Sequence, residues 1–242
     1  MRILVFAKRC GKEILRDPLT LIFGLGFPII LLLLLSLIQA NIPTDLFNIE
    51  SLAPGITIFG YSFISLFAAT LISKDRENSF LHRLYTTPIK STDFILGYTL
   101  PLIPISIIQS VICYLVAFIL GLTPTINVLF ALLSLIPVSI FYISLGLLFG
   151  SIFNVKQVGT ICGALLTNLS AWLSGIWFDI SYIGAISKIA NLLPFYHAVE
   201  LEKLIINGNL DNLFFHFIVV IIYTIITLIL AIVVFIKQMK KL

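Results

Sequence analysis

Side chains that commonly perform catalysis or bind metal ions are few and scattered in this sequence. The histidines and cysteines are His82, His197, His216, Cys10, Cys113 and Cys162. No two of them lie at the short spacing of a zinc site or of a disulfide framework. Glu200 and Glu202 follow His197 closely, but their spacing matches no metal motif. The sequence therefore predicts no catalytic residue and no metal-binding residue.

A phosphate-binding loop of the form G-x-x-x-x-G-K-S/T is also absent from the sequence. Gly11-Lys12 is the only Gly-Lys pair in the chain. It lacks the preceding glycine loop whose backbone N–H groups would surround a phosphate. We therefore expect the chain to hydrolyse no nucleotide by itself.

Charge is concentrated in one segment, KDRENSFLHRLYTTPIKSTDF, which covers residues 74–94 in a chain with only 11% charged residues. The segment predicts a short helix with Ser79 as its N-cap and Tyr85 at its end. Phe80 and Leu84 are four residues apart and share one face of that helix. An apolar strip flanked by charges suits insertion into a groove of another protein. The residues expected to form this contact are Arg76, Glu77, Phe80, Leu81, Arg83, Leu84 and Tyr85. The alternative is a solvated loop whose charges only set membrane orientation.

The chain as a whole has the composition of an integral membrane protein. It has 242 residues, 60% of them hydrophobic, and a mean hydropathy of +1.13. Soluble domains are far less apolar. A helix needs about 20 mainly apolar residues to cross a bilayer. The sequence therefore predicts an all-α membrane fold in a single transmembrane domain, with six spans at 19–40, 54–73, 95–120, 126–150, 157–177 and 213–236.

Basic residues predict how these spans are oriented. Of the 15 Lys and Arg residues, 13 lie before the first span, after the second, before the fifth or after the sixth. Short loops rich in Lys and Arg stay on the cytoplasmic side. We therefore expect a multi-pass protein of a bacterial-type cell membrane with both termini in the cytoplasm. Membrane topology then accounts for the net charge of +4, and no nucleic-acid partner is expected.

The first 17 residues predict an amphipathic helix that ends before Pro18. One arc of its helical projection is apolar, with only Val5 out of place, and consists of Ile3, Leu4, Phe6, Ala7, Cys10, Ile14 and Leu15. We expect this arc to lie in the acyl boundary of the cytoplasmic interface. The helix is either a simple topology anchor or a docking surface for a cytoplasmic partner.

The fifth predicted span, 157–177, is the most polar of the six. Asn168, Trp172 and Ser174 are expected to line a translocation path along one of its faces. Gly159, Gly163 and the threonine that follows them form a ridge of small residues. Such ridges let membrane helices pack closely.

Residues 178–212, between the fifth and sixth spans, are too polar to cross the membrane and too apolar for a free loop. They predict two short helices, Ile180 to Leu193 and Ala198 to Ile206, broken at Pro194. A broken helix survives at membrane depth only if protein or a water-filled cavity surrounds it. The segment is therefore expected to be an extracytoplasmic re-entrant hairpin whose bend is set by Pro194.

Together these features resemble the ABC-2 type transporter permease family over essentially the whole chain. The resemblance rests on six spans behind an amphipathic start and on residue groups in two places. They are Asp75-Arg76-Glu77, Thr87-Pro88-Ile89 and Gly97 in and after the charged segment, and Leu193-Pro194, Ala198, Glu200 and Gly208 before the last span. Asn78 and Ser79 stand where the family favours Gly and Thr.

The resemblance implies the membrane subunit of an ATP-driven transporter, usually an exporter, assembled from two permease subunits and two cytoplasmic ABC ATPases. The chain would bind no cofactor, while ATP and Mg²⁺ would bind the partner ATPase. Segment 74–94 would be the coupling helix, with Glu77 as the family's acidic residue at the start of the loop. An apolar chain with 20 Phe favours an amphipathic or hydrophobic cargo, such as a drug, a peptide or a lipid-like molecule.

Two other classes of membrane protein, an ion-coupled carrier or channel and a polytopic membrane enzyme, are alternatives to the permease. An ion-coupled carrier or channel usually keeps charged residues inside the membrane, and the predicted spans contain no Asp, Glu or Arg. A polytopic membrane enzyme needs a cluster of catalytic side chains. The sequence favours the permease over both.

Overall fold

The computed structural model describes residues 2–42, 47–78, 91–177 and 184–239. Within these ranges every regular element is helical, which confirms the predicted all-α class. A helix satisfies its own backbone N–H and C=O groups, as long apolar runs require in lipid. In chain order the helices are α1 (Arg2–Arg16), α2 (Pro18–Leu21), α3 (Phe27–Gln39), α4 (Ile49–Glu77), α5 (Ser91–Thr99), α6 (Leu102–Ile119), α7 (Ile126–Ile152), α8 (Val155–Thr160), α9 (Thr167–Leu173), α10 (Gly184–Ala190), α11 (Pro194–Ile206) and α12 (Leu213–Met239). Two π-helical segments, Ile22–Gly26 and Ile161–Leu166, join α2 to α3 and α8 to α9.

Among the described residues, five helical stretches are long and apolar enough to cross a membrane, so the chain is a multi-pass membrane protein. They are Ile22–Gln39, Ile49–Glu77, Thr92–Ile119, Ile126–Ile152 and Leu213–Gln238. Each overlaps one predicted span. The remaining predicted span, 157–177, falls on the stretch from α8 to α9, which is helical from Val155 to Leu173. This stretch is not among the five, because Lys156, Gln157 and Asn168 lower its mean hydropathy.

The central helix of the bundle is α4, in whose most apolar stretch 89% of the residues are buried. It packs against α7 through glycines that bring the two backbones into contact. A Cβ atom on Gly146 would lie 2.4 Å from the carbonyl oxygen of Ser65, and one on Gly150 would lie 2.6 Å from that of Ala69. Glycines four residues apart are a common device for the close approach of membrane helices. Neither position tolerates a side chain without separating α4 from α7.

The predicted glycine ridge on the fifth span is a looser contact than this one. A Cβ atom on Gly163 would lie 3.5 Å from the nearest atom of Leu66, which is an ordinary van der Waals distance. Gly159 faces open space as far as the described residues extend. The glycines Gly146 and Gly150, which bring two helix backbones into contact, therefore lie on α7 and not on the predicted fifth span.

Helix α1 is amphipathic, as predicted, but its apolar arc is divided between two surroundings. Phe6, Cys10 and Ile14 are buried in the bundle. The Phe6 ring meets the rings of Phe94 and Tyr98 of α5 edge-on, with centroids 5.5 and 5.0 Å apart. Of the other large apolar side chains on the arc, Leu4 and Leu15 are 69% and 62% exposed, and Ile3 is half-buried. Part of the arc thus attaches α1 to protein, and only the rest is available to lipid.

Helices α10 and α11 precede α12, and the chain bends between them. Pro194 occupies the first turn of α11, where the missing N–H group costs nothing. Leu193 before it has an extended backbone, with φ −102° and ψ 149°. The second helix therefore begins at Pro194 rather than at the predicted Ala198. Residues 178–183, the start of the predicted hairpin, lie outside the described ranges.

Candidate functional site

The last three residues of α4, Asp75, Arg76 and Glu77, connect this helix to four other elements, and we call them the α4 junction. Consecutive residues on a helix point about 100° apart, because a turn contains about 3.6 residues. The three side chains therefore leave α4 in three directions. They reach α1 and α5, the end of α7, and the start of α8.

Asp75 is the buried member of the junction, with 2% of its surface exposed. Its carboxylate accepts two hydrogen bonds from the Arg9 guanidinium of α1, at 2.5 and 2.6 Å. It accepts a third from the Tyr98 hydroxyl of α5, at 2.7 Å. Arg9 also contacts Glu13 at 2.9 Å. The hydrogen bond with Asp75 holds the pKa of the Arg9 guanidinium above its ordinary value. The contacts of Asp75 with Arg9 and Tyr98 join α1, α4 and α5.

Arg76 and Glu77 lie on either side of the turn between α7 and α8. Arg76 Nη1 donates to the carbonyl oxygens of Gly150 and Phe153, at 2.9 and 3.3 Å. Glu77 Oε1 accepts from the backbone N–H of Val155, at 2.8 Å. The final carbonyl groups of a helix carry partial negative charge and the first N–H groups partial positive charge. A cation at the end of α7 and an anion at the start of α8 therefore suit both helix termini.

The predicted groove-inserting residues divide into two groups. Arg76 and Glu77 belong to the α4 junction. The other five, Phe80, Leu81, Arg83, Leu84 and Tyr85, lie outside the described residues, in the segment 79–90 between α4 and α5. The junction lies immediately before that segment in the chain. The bond from Tyr98 to Asp75 ties the helix after the segment to the helix before it.

An open groove of about 750 Å³ runs along the exposed side of α1. Basic side chains at helical spacing, Lys8, Lys12 and Arg16, line it together with the two acidic residues Glu13 and Asp17. The groove lies on the opposite side of α1 from buried Cys10 and Ile14. Its surface is therefore accessible and predominantly positive.

The residues predicted for the translocation path face different ways. Asn168 is exposed, and Trp172, four residues later on the same face of α9, is 59% exposed. Leu165 and Leu169 extend this exposed face. Ser174 is fully buried, and its hydroxyl donates to the carbonyl oxygen of Ala171 at 3.0 Å. The structure thus brings Asn168 and Trp172 together but not Ser174.

Two histidines that are distant in the sequence meet in the structure. His197 Nδ1 of α11 lies 2.8 Å from His216 Nδ1 of α12, and His197 Nε2 lies 2.9 Å from the carbonyl oxygen of Asn191. These two histidines, scattered in the sequence, are therefore neighbours in three dimensions, because α11 packs along α12. Over the described ranges, no group of three His, Cys, Asp or Glu side chains is arranged to hold a metal ion.

Comparison with known proteins decides the family of this bundle. The profile of the ABC-2 type transporter family matches residues 1–207, which include α1, the α4 junction and α11. The chain belongs to the ABC-2 type transporter family. Relatives in Porphyra purpurea and Pyropia yezoensis carry the provisional name transport permease ycf38. They are 28% and 30% identical over 208 and 207 residues, which cover 80% and 79% of this chain and 69% of each relative.

The contacts within the permease were only partly foreseeable. Asp75 and Arg76 lie in the charged segment 74–94, and the concentration of charge in that segment indicated where the α4 junction would be. Their partners Arg9 and Gly150 are 66 and 74 residues away in sequence, so no local pattern identifies them. In this permease the α4 junction lies at the end of the helix that precedes the segment 79–90.

Proposed function

We propose that this permease is the membrane subunit of an ABC exporter, driven by ATP hydrolysis on a separate cytoplasmic ATPase. The observation that carries the proposal is the α4 junction. It links the end of α4, the helix before the segment 79–90, to α5, the helix after it, and to α1, α7 and α8 through contacts of 2.5–2.9 Å that involve charged side chains. A force applied to that segment therefore reaches several helices of the bundle at once.

In this proposal the ATPase docks on the cytoplasmic face, against the segment 79–90 and the basic groove of α1. Phe80, Leu81, Leu84 and Tyr85 enter a groove of the ATPase, flanked by Arg83. ATP and Mg²⁺ bind the ATPase, and this chain carries no cofactor. Charges at a desolvated contact are worth about 2 to 5 kcal/mol when one partner is removed, which is enough to connect ATP turnover with helix movement.

The junction and α11 lie at opposite ends of the bundle, which supports a path between them. Glu202 of α11 contacts Ser134 of α7, whereas Arg76 contacts Gly150 of the same helix. These two positions on α7 are about 24 Å apart at roughly 1.5 Å per residue. With the junction on the cytoplasmic side, α10 and α11 lie on the extracytoplasmic side. We assign them to a re-entrant hairpin that closes the outer mouth, with its bend at Pro194.

The proposed topology has six spans with both termini in the cytoplasm of a cell membrane. The helical stretch from α8 to α9 is the additional span, and its polar side chains are acceptable where protein or water replaces lipid. Its exposed face, with Asn168 and Trp172, faces a second permease subunit across the translocation path. An amphipathic or hydrophobic substrate suits the apolar surfaces on either side.

The test combines the permease with its ABC ATPase from the same source in nanodiscs. The purified permease alone should show no ATP turnover, whereas the pair should show turnover and co-purification. Glu77→Ala and Leu84→Asp should reduce ATPase capture or substrate-stimulated turnover while membrane insertion is retained. Glu50→Ala is the matched control, because Glu50 is an exposed acidic residue in the first turn of the same helix.

Turnover by the isolated permease would overturn the assignment of ATP hydrolysis to a partner. Wild-type capture and transport in both Glu77→Ala and Leu84→Asp would show that the segment 79–90 is only a charged tether. Transport driven by a proton gradient without ATP would favour an ion-coupled carrier instead.

A further inference from the structure

Glu202 is a carboxyl group in the interior of the bundle. It lies on α11 with 0% of its surface exposed. The Tyr114 hydroxyl of α6 lies 3.2 Å from Glu202 Oε2, and the Ser134 hydroxyl of α7 contacts Glu202 Oε1. Among the described residues, no Lys, Arg or His forms an ion pair with Glu202. A buried carboxylate without a counter-ion is strongly unfavourable, and such groups usually take up a proton.

The titratable groups near Glu202 do not supply a positive charge. On α11 itself, Glu200 and Lys203 pair with each other at 2.9 Å, and His197 contacts His216 of α12. Tyr223 of α12 donates to the carbonyl oxygen of Leu192. Other titratable residues on the elements around α11 are Tyr61 of α4, Cys113 and Tyr114 of α6, Tyr142 of α7 and the exposed Lys188 of α10. Glu50 is exposed in the first turn of α4, and the remaining charged residues of α4 and α12, Lys74, Asp75, Arg76, Glu77 and Lys237, lie in the last turns of those helices. The surroundings therefore favour the neutral form of Glu202.

The hydrogen-bond partners also fit a neutral acid. Ser134 has one hydroxyl hydrogen, and its oxygen lies 2.8 Å from the carbonyl oxygen of Ala131 as well as against Glu202. The hydroxyl hydrogen of Ser134 can go to only one of these two oxygens, and when it goes to the carbonyl oxygen, which can only accept, the Ser134 oxygen can accept a hydrogen bond from a protonated Glu202. In that arrangement Glu202 carries its own hydrogen on Oε1, while Tyr114 donates to Oε2. With this arrangement each of these polar groups has a partner.

From this geometry we infer that Glu202 is a proton-binding site that holds α11 closed against α6 and α7 while it is protonated. The inference rests on the proposed role of α11 in closing the outer mouth. When α11 moves away, the carboxyl group meets water and releases its proton. Closing takes up one proton, so the balance between the closed and open states depends on pH.

The direction of this dependence follows from the burial of Glu202. Burial raises its pKa from an ordinary value of 4.5 to about 8. Between these two values the closed state holds the proton and the open state does not. The ratio of closed to open protein should therefore fall by up to tenfold for each pH unit from about 5 to 8. Below about pH 4.5 both states are protonated and the dependence ends.

The first measurement is infrared spectroscopy of the wild type and of Glu202→Gln in nanodiscs. The glutamine amide can donate to Ser134 and accept from Tyr114, so the variant should fold. The wild type should show the carbonyl stretch of a protonated carboxyl group at pH 6, and Glu202→Gln should lack it. As a second variant, Tyr114→Phe removes a donor to the carboxylate, so the band should persist to higher pH.

The second measurement follows the opening of α11 through a thiol. Ala198→Cys, one turn before Glu202 and 3% exposed, is placed in a chain whose three native cysteines are replaced by alanine. Its reaction rate with a water-soluble maleimide is compared with the rate for the same cysteine combined with Glu202→Gln. We divide the rate measured with native Glu202 by the rate measured with Glu202→Gln. This ratio removes the effect of thiol ionisation, which is common to both rates. It should rise by up to tenfold per pH unit from about 5 to 8, and Glu200→Gln, the control on the same helix, should keep this dependence.

Absence of the carboxylic acid band at every pH would overturn the proton-binding site. A band together with a rate ratio that does not change with pH would overturn the link between the proton and α11. Neither measurement uses ATP or substrate, so both outcomes are separate from a failure of the proposed exporter function.

Discussion

Replacing Asp75 by asparagine should detach α1 from the bundle without unfolding the membrane helices. Asp75 is 2% exposed and accepts hydrogen bonds from Arg9 at 2.5 and 2.6 Å and from Tyr98 at 2.7 Å. Asparagine keeps the shape of the side chain but removes its charge. The Arg9 guanidinium then loses its buried counter-ion and keeps the partly exposed carboxylate of Glu13 at 2.9 Å.

The expected free-energy cost of Asp75→Asn follows from how deeply the Arg9–Asp75 pair is buried. Removing one partner of a fully buried ion pair costs about 3 to 5 kcal/mol, and an exposed pair contributes about 0.2 to 1 kcal/mol. The side chain of Asp75 is 3% exposed and that of Arg9 is 35% exposed, so this pair lies between the two limits. We therefore expect Asp75→Asn to weaken the attachment of α1 to the bundle by about 2 kcal/mol. Since about 1.4 kcal/mol is a factor of ten, α1 should detach roughly 30-fold more often.

Cys10 provides the assay for detachment of α1. It follows Arg9 on α1 and is 0% exposed, and its burial raises the pKa of the thiol from 9.0 to about 12. The thiolate is the reactive form, so Cys10 should react with a maleimide at pH 8 mainly when α1 is detached. The alkylation rate of the Cys10 peptide, measured by mass spectrometry, should rise about 30-fold in Asp75→Asn.

Glu13→Gln is the matched control, because Glu13 is the other carboxylate in contact with Arg9. Both side chains of that pair are more than a third exposed, at 35% and 38%, and the residues are four apart. Such pairs contribute about 0.3 to 0.5 kcal/mol, so the alkylation rate should change by only about twofold. Equal rates in Asp75→Asn and Glu13→Gln would refute the conclusion that Asp75 holds α1 in place.

Three further experiments test the packing of α4 on α7, the proposed path along α9 and the bend before α11. Gly146→Ala should lower the free energy of unfolding by about 1 to 3 kcal/mol, because its Cβ atom would lie 2.4 Å from a backbone oxygen of α4. Gly163→Ala is the control and should change the melting temperature little. Similar melting temperatures for the two variants would contradict the close α4–α7 contact. Cysteines at Asn168 and Trp172 should react with water-soluble thiol reagents in at least one transport state, and a cysteine at buried Ser174 should stay protected; equal protection of all three would argue against a path along α9. Pro194→Ala should reduce transport while ATPase capture is retained, since proline fixes the start of α11; normal transport would show that the bend does not depend on it.

Hydrophobic pattern predicted the helices well because each one is a local property. Apolar runs of about 20 residues form helices in lipid wherever they occur in a chain. The same pattern predicted an amphipathic α1 but not the division of its apolar arc. Phe6 packs on protein and Leu4 is 69% exposed, although both lie on the predicted arc. Periodicity identifies an apolar face, and both protein and lipid suit such a face.

By itself, the sequence determined the membrane class, the helical fold, the amphipathic first helix and the resemblance to ABC-2 permeases. Only the tertiary structure decided which residues meet. Arg9 and Asp75 are 66 residues apart, and Tyr114 and Glu202 are 88 residues apart. Gly146 and Gly150 become the tight contact only because α4 lies opposite them. A hydrogen bond or a backbone contact is a property of two positions in space, and a one-dimensional pattern describes each residue without its partner.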